Sequence, residues 1–171
     1  MADIQIIKLK PEDWQQYKQI RLEALLIEPQ SFSRTYADAL KSPDTFWQER
    51  LREAQKGERN WLLFASENDR LVGMIGAFRL EGGNEVEIIS VYVTPAKRGQ
   101  GVGKALMDAI LIQVSQQAGV QKAVLGVNAT QAPAVALYRR YGFQVVEETT
   151  GLMGDGQKYL GYWMEKPLRT V

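Results

Sequence analysis

The sequence predicts a mixed α/β fold, one sheet with helices packed over it. Three observations carry this: apolar positions at helical spacing over residues 12–57, β-prone segments between short polar turns over 61–94, and a helix, strand, helix, strand order after residue 100.

The elements follow in order. Ile4, Ile6 and Leu9 mark a short first strand, and Lys10-Pro11-Glu12-Asp13 is a turn whose acidic residues open a helix over 12–27. Trp14, Tyr17, Ile20, Ala24 and Ile27 form its apolar stripe, with Arg21 and Glu23 off it, and Pro29 marks its end. Ser31 is the expected cap of a second helical piece reaching Lys41. Ser42-Pro43-Asp44 starts a third, through Phe46, Trp47 and Leu51, which Gly57 closes; these aromatics sit at core spacing rather than in a ligand box. The period then changes. Trp61–Ser66 and Leu71–Leu80 form a hairpin around Glu67-Asn68-Asp69-Arg70, and Glu81-Gly82-Gly83-Asn84 leads to a third antiparallel strand, Val86–Thr94, stopped by Pro95. Gln100–Gln117 reads as a helix, Val120–Val127 as a strand and Ala132–Arg140 as a helix ended by Gly142. Phe143–Val146 and Tyr159–Met164 are the last strands, joined by a Gly-rich turn.

Composition narrows the chemistry. The 171 residues suit one compact domain. With 21 basic and 20 acidic residues mixed along the chain, nothing resembles the footprint of a nucleic-acid or anionic-membrane binder, so the expected partner is a small molecule. Cysteine and histidine are both absent, which removes thiolate nucleophiles, imidazole bases and the usual zinc ligands, and leaves acid–base work to Glu, Asp, Tyr or Lys. No metal is expected. Met1-Ala2-Asp3-Ile4-Gln5 has no basic region followed by an apolar run, and no stretch reaches spanning length, so a cytoplasmic protein is the default expectation.

Arg98-Gly99-Gln100-Gly101-Val102-Gly103-Lys104 joins a strand to a strongly periodic helix. The first amides of a helix lack intrahelical partners and carry the positive end of its dipole, so a turn without side chains lets an anion, most naturally phosphate, sit on them. Arg98 and Lys104 would add charge beside that cradle. A P-loop is excluded, because Arg98 stands where its first glycine belongs and Ala105 follows Lys104. The dinucleotide fingerprint also fails: its last glycine would be Lys104 or Leu106. The remaining alternative is a tight connection whose glycines serve only backbone geometry.

With its flanks Val93-Thr94-Pro95 and Leu106, this segment closely resembles the acetyl-CoA-binding motif of the GNAT superfamily. That motif is Arg or Gln, two residues, Gly, one residue, Gly or Ala; Arg98, Gly101 and Gly103 hold its three positions. A second family segment follows about thirty residues on: Ala134 to Phe143 is similar to the family's signature through Leu137-Tyr138 and Gly142-Phe143. Gln131 stands where the family usually has Asn, with the same amide chemistry. The likeness covers Trp61 to Gly161 well, and the first sixty residues in broad pattern.

The resemblance implies a mostly antiparallel central sheet, helices on both faces, and a splay between the strand ending near Thr94 and the strand at 123–127. It implies one acetyltransferase domain over 1–171, with 1–60 on the acceptor side and 61–166 as the CoA-binding core. Its co-substrate would be acetyl-CoA, held by Val91, Val93, Arg98, Gly99, Gln100, Gly101, Val102, Gly103, Lys104, Gln131 and Tyr138. Its reaction would be direct attack by a primary amine on the thioester. Tyr138 matches the family's thiolate-protonating tyrosine, the Val91 amide would polarise the thioester carbonyl, and Glu87 stands where some members place a base. Glu85 is its rival; both share a face with Val91 in a regular strand, and a bulge would reverse that parity, while Ser90 and Tyr92 project the other way. Arg21, Glu28, Ser31, Phe32, Tyr36 and Tyr159 fall where the family builds its acceptor site, for a small-molecule or peptide amine. A homodimer is left open. The alternatives from other classes are a catalytically silent CoA-binding regulatory module on the same fold and a different phosphate-ligand domain.

Overall fold

The computed structural model describes residues 3–168. Met1, Ala2 and residues 169–171, which belong to the domain expected over 1–171, lie outside the described residues. The strands are β1 (Gln5–Ile7), β2 (Asn60–Glu67), β3 (Arg70–Arg79), β4 (Glu85–Val93), β5 (Lys122–Asn128), β6 (Gln144–Leu152) and β7 (Lys158–Pro167). The helices are α1 (Trp14–Ile27), α2 (Tyr36–Leu40), α3 (Asp44–Lys56), α4 (Val102–Ser115) and α5 (Ala132–Arg140).

The strands form one sheet in the order β1-β2-β3-β4-β5-β7-β6, antiparallel throughout except for β4 with β5. Alternation along the strands feeds two cores. Leu63, Ile75, Ile88 and Leu125 meet Leu106, Met107, Ile110 and Val114 of α4 on one face. Leu62, Phe64, Met74 and Tyr92 meet Tyr17, Ile20, Trp47 and Leu51 of α1 and α3 on the other, so helices cover both faces as expected. The hairpin turn uses Asn68 and Asp69, both at positive φ (49° and 62°), the mirror-image geometry that matches strand twist.

Three local expectations change. Pro29 to Ser31 forms a short 3-10 turn, so Ser31 is used inside it and the cap of α2 is Thr35, whose Oγ1 accepts from the Asp38 amide at 3.0 Å. The inner face of α1 ends on Leu25, because the chain turns away at Glu28 and leaves Ile27 exposed. β6 runs to Leu152 and β7 begins at Lys158, well beyond the short strands expected; β6 is an edge strand with mostly exposed side chains, so no apolar alternation marks it.

Candidate active site

β4 and β5 pair only through Glu85 with Lys122, Val86 with Ala123 and Glu87 with Val124. Beyond that point β4 stays on β3 as far as Val93, and β5 stays on β7 as far as Asn128. Two strand edges therefore diverge, and a cavity of about 980 Å³ occupies the gap and the space around it.

A bulge shapes the β4 side. Met74 lies opposite Tyr92 and Gly76 opposite Ile89, so Ser90 and Val91 together stand against Ile75. Ser90 takes φ 56°, the left-handed region that side chains seldom adopt. Side-chain parity reverses across the bulge. Val86 and Ile88 point into the α4 core and so do Val91 and Val93, whereas Tyr92 joins the α1–α3 core. Glu85 and Glu87 thus share a face with Tyr92, not with Val91 as a regular strand would have placed them.

The turn after β4 reaches the same cavity. Gly99 and Gly101 hold φ 72° and 85°, and a Cβ at either would meet nothing within 4 Å, so open space lies over them. Ala105 donates to the Gly101 carbonyl at 3.0 Å, and the α4 amides before it have no intrahelical acceptor. Gly99, Gly101, Val102, Gly103 and Lys104 line the cavity. Free amides at a helix N-terminus under open space fit a phosphate group, and the residues present suit the pyrophosphate of a CoA thioester.

The flanking side chains are engaged elsewhere. Arg98 donates through Nε to the Val93 carbonyl at 3.0 Å and pairs with Glu28 at 2.7 Å; Lys104 pairs with Asp108 at 2.8 Å. Gln100 turns back to the Ala96 carbonyl at 3.0 Å and does not line the cavity. Gln131 does line it, and its amide donates to Ser31 Oγ. Tyr138, on α5, is buried in the cavity wall, edge-on to Phe143 at 6.2 Å. Burial, with Glu28 nearby, raises its phenol, which stays protonated at neutral pH.

The model of the acetyltransferase (GNAT) family matches residues 11–143. This chain belongs to the GNAT family. It is 36% identical over 110 residues to a mycothiol acetyltransferase of Saccharomonospora viridis, a match covering 57% of this chain and 35% of that protein, so the chain spans well under half the length of that relative. Among solved structures, an acetyltransferase of the GNAT family from Streptococcus pneumoniae superposes with a TM-score of 0.83 at 15% identity, over 97% of this chain and 100% of that one. The yncA protein of Salmonella typhimurium, solved with its cofactor acetyl-CoA, gives 0.81 at 20% identity, over 98% and 95%. At these identities the likeness is one of fold. Among the described residues, no cluster of three or more acidic side chains could hold a metal, and no helix is long and apolar enough to cross a membrane.

On the α1–α3 side, this GNAT cavity is lined by Tyr17, Arg21, Phe32, Arg34, Phe46 and Arg50. Glu28 and Ser31 also line it; Tyr36 and Tyr159 do not, and the Tyr159 hydroxyl donates to Asp155 at 2.5 Å. Trp47 is fully buried against Tyr17, edge-on at 5.2 Å, whereas Phe46, expected in the core, is only partly buried and carries the Arg34 guanidinium over its ring at 4.7 Å. Sequence reasoning missed Arg34 and Arg50. Arg50 stands four residues after Phe46, on the same helical face, a usable signal; Arg34 sits in an irregular loop and has none. That loop is pinned: the Gly154 amide donates to the Phe32 carbonyl at 2.7 Å, and Asn128 donates to the Gln30 carbonyl at 3.0 Å.

Burial raises the Glu87 carboxyl above its ordinary value, and Glu87 lines the cavity. Glu85 instead pairs with Lys122 at 2.7 Å and does not line it.

Proposed function

We propose that this chain is an N-acetyltransferase that uses acetyl-CoA and passes the acetyl group directly to a primary amine. The observation that carries this reading is the divergence of β4 from β5 beside the Gly99–Lys104 turn, which surrounds one cavity with a free strand edge, free helix amides and a buried phenol. Acetyl-CoA, when bound, supplies an activated acetyl group on a thiol that can leave.

The chain's own groups divide the work. The amides at Gly101 to Lys104 hold the pyrophosphate. The β4 edge at Val91 and Val93 orients the pantetheine arm as a neighbouring strand would, and the Val91 amide is the donor for the acyl oxygen. Tyr138 keeps its proton at neutral pH and gives it to the departing sulfur. Glu87, on the α1–α3 side of the sheet, accepts a proton from the amine; the pairing of Glu85 with Lys122 supports Glu87 over its neighbour. Residues 1–60 then supply the acceptor side, and 61–166 the CoA side, of one domain.

The test is thiol release from acetyl-CoA across a panel of amines. Turnover with a primary amine is the expected result. CoA binding with no turnover on any amine would replace this reading with the regulatory module.

A further inference from the structure

Three arginines from three different segments line the α1–α3 end of the cavity: Arg21 from α1, Arg34 from the loop before α2 and Arg50 from α3. None has a carboxylate partner among the described residues. Arg21 lies over the Phe32 ring at 4.6 Å, and its Nη1 is buried with no hydrogen-bond partner among the described residues. Arg34 lies over Phe46 and gives one Nη2 bond to Ser42 at 2.5 Å. Burial lowers the Arg21 guanidinium to about 10; Tyr17 opposes the shift, and the smaller influences of Arg50 and then Arg34 add to it. The two carboxylates on this cavity do not balance the three charges, because Glu28 is paired with Arg98 at 2.7 Å and only Glu87 remains.

A buried guanidinium nitrogen without a partner is costly, and three neighbouring cations are stable only beside an anion or open water. The planar fork of arginine matches a carboxylate in two-point geometry. Glu87 lines the same cavity and has no ion-pair partner among the described residues, so it suits a cation. The cavity therefore offers positive groups for an anion and one negative group for an ammonium, the complement of a zwitterion.

We infer that the acceptor is a free α-amino acid, its carboxylate held by Arg21, Arg34 and Arg50 and its amine turned towards Glu87 and the β4 edge. The inference rests on the reading of the site as an N-acetyltransferase and names its substrate class. Phe32 and Phe46, which hold the guanidinium planes, also offer apolar walls to an aliphatic or aromatic side chain. Polyamines and aminoglycosides, which bring several positive charges, meet repulsion beside the three arginines.

The test compares matched acceptors at saturating acetyl-CoA: phenylalanine against phenethylamine and phenylalanine amide, leucine against isoamylamine, with spermidine and a short peptide bearing an N-terminal acidic pair as further arms. Each amino acid should exceed its decarboxylated partner in kcat/KM by at least about 30-fold, the equivalent of the roughly 2 kcal/mol lost when a buried charge pair loses one member. Arg21→Gln and Arg50→Gln should each narrow that ratio by about tenfold or more while CoA affinity, read by calorimetry, is kept. Arg50 is only partly buried, so its variant tests the idea even if Arg21→Gln fails to fold. Amino-acid binding to the CoA-saturated protein, followed through the fluorescence of Trp47 and its neighbours, gives a readout independent of turnover. Equal or better use of the decarboxylated amines, spermidine or the acidic peptide overturns the inference and leaves the acetyltransferase reading intact. Absence of turnover with every amine counts against that reading instead, and amino-acid affinity that is weak or indifferent to both arginine variants then removes this one as well.

Discussion

Replacing Ser90 by valine tests whether the bulge in β4 builds the site. Ser90 sits at φ 56°, where an L side chain costs about 1–2 kcal/mol relative to the ordinary regions and a β-branched one is a stronger outlier. Valine must accept that strain or abandon the bulge, and a lost bulge would slip β4 by one residue, turning Tyr92 out of the α1–α3 core and Val91 and Val93 out of the α4 core. Serine already bears that cost, so only the extra penalty of β-branching separates the variant; for a chain of 171 residues about 1 kcal/mol moves the midpoint by about 2–4 °C, so the variant should melt a few degrees lower if the bulge survives, and lower still if it does not. Ser90→Gly is the companion, since glycine takes this φ freely but loses about 0.4–1 kcal/mol through its looser unfolded chain, and the two effects nearly offset. Thermal melts by circular dichroism give the midpoints, and thiol release measured well below them gives the rate. Valine should lower both, while glycine should leave the midpoint within a few degrees. A valine variant that melts with the native chain and turns over at the native rate would refute the argument that the bulge builds the site.

Three further outcomes are expected. In Gly103→Glu the new Cβ meets only Leu137 and Val93, at 3.7 and 3.9 Å, so the fold should hold while a carboxylate at the amide cradle weakens CoA binding by about tenfold or more; unchanged affinity by calorimetry would remove the cradle. Tyr138→Phe should keep CoA affinity and slow turnover roughly 100-fold, and an undiminished rate would reduce Tyr138 to a packing residue. Burial raises the Glu87 carboxyl above 4.5, so the folded state holds that proton more tightly than the unfolded chain, and the stability this confers is lost as pH rises from about 4.5 through the folded value. Glu87→Gln does not titrate, so its melting point should gain on the native chain between pH 4 and pH 7, and its turnover should lose the ascending limb of the rate profile; a pH-independent difference and a full rate would end its role as base.

Much of the fold and of the glycine-rich turn was legible because its signals are local. The helix start at Gly101, the positive φ at Gly57 that ends α3, and the Asn68-Asp69 turn follow from backbone sterics within a few residues. Tyr138 also reads locally, as a residue on the inner face of a short helix closed by Gly142. The α1–α3 side of the cavity was legible only in part. Arg21 stood out as a charge beside an apolar stripe, but Arg34 enters the cavity through a loop whose path is decided by hydrogen bonds to β5 and to the β6–β7 turn, far away in sequence.

Sequence alone determined the order of elements, the amide-rich turn and the absence of cysteine and histidine, since each depends on residue type and short-range spacing. Tertiary structure alone decided which glutamate faces the cavity. No glycine marks the bulge at Ser90; it exists because Tyr92 must pack with α1 and α3 while Val91 and Val93 pack under α4, and a regular strand cannot satisfy both cores after Val86 and Ile88. The pairing of Lys122 with Glu85, contributed by a neighbouring strand, completes that choice and leaves Glu87 on the cavity wall.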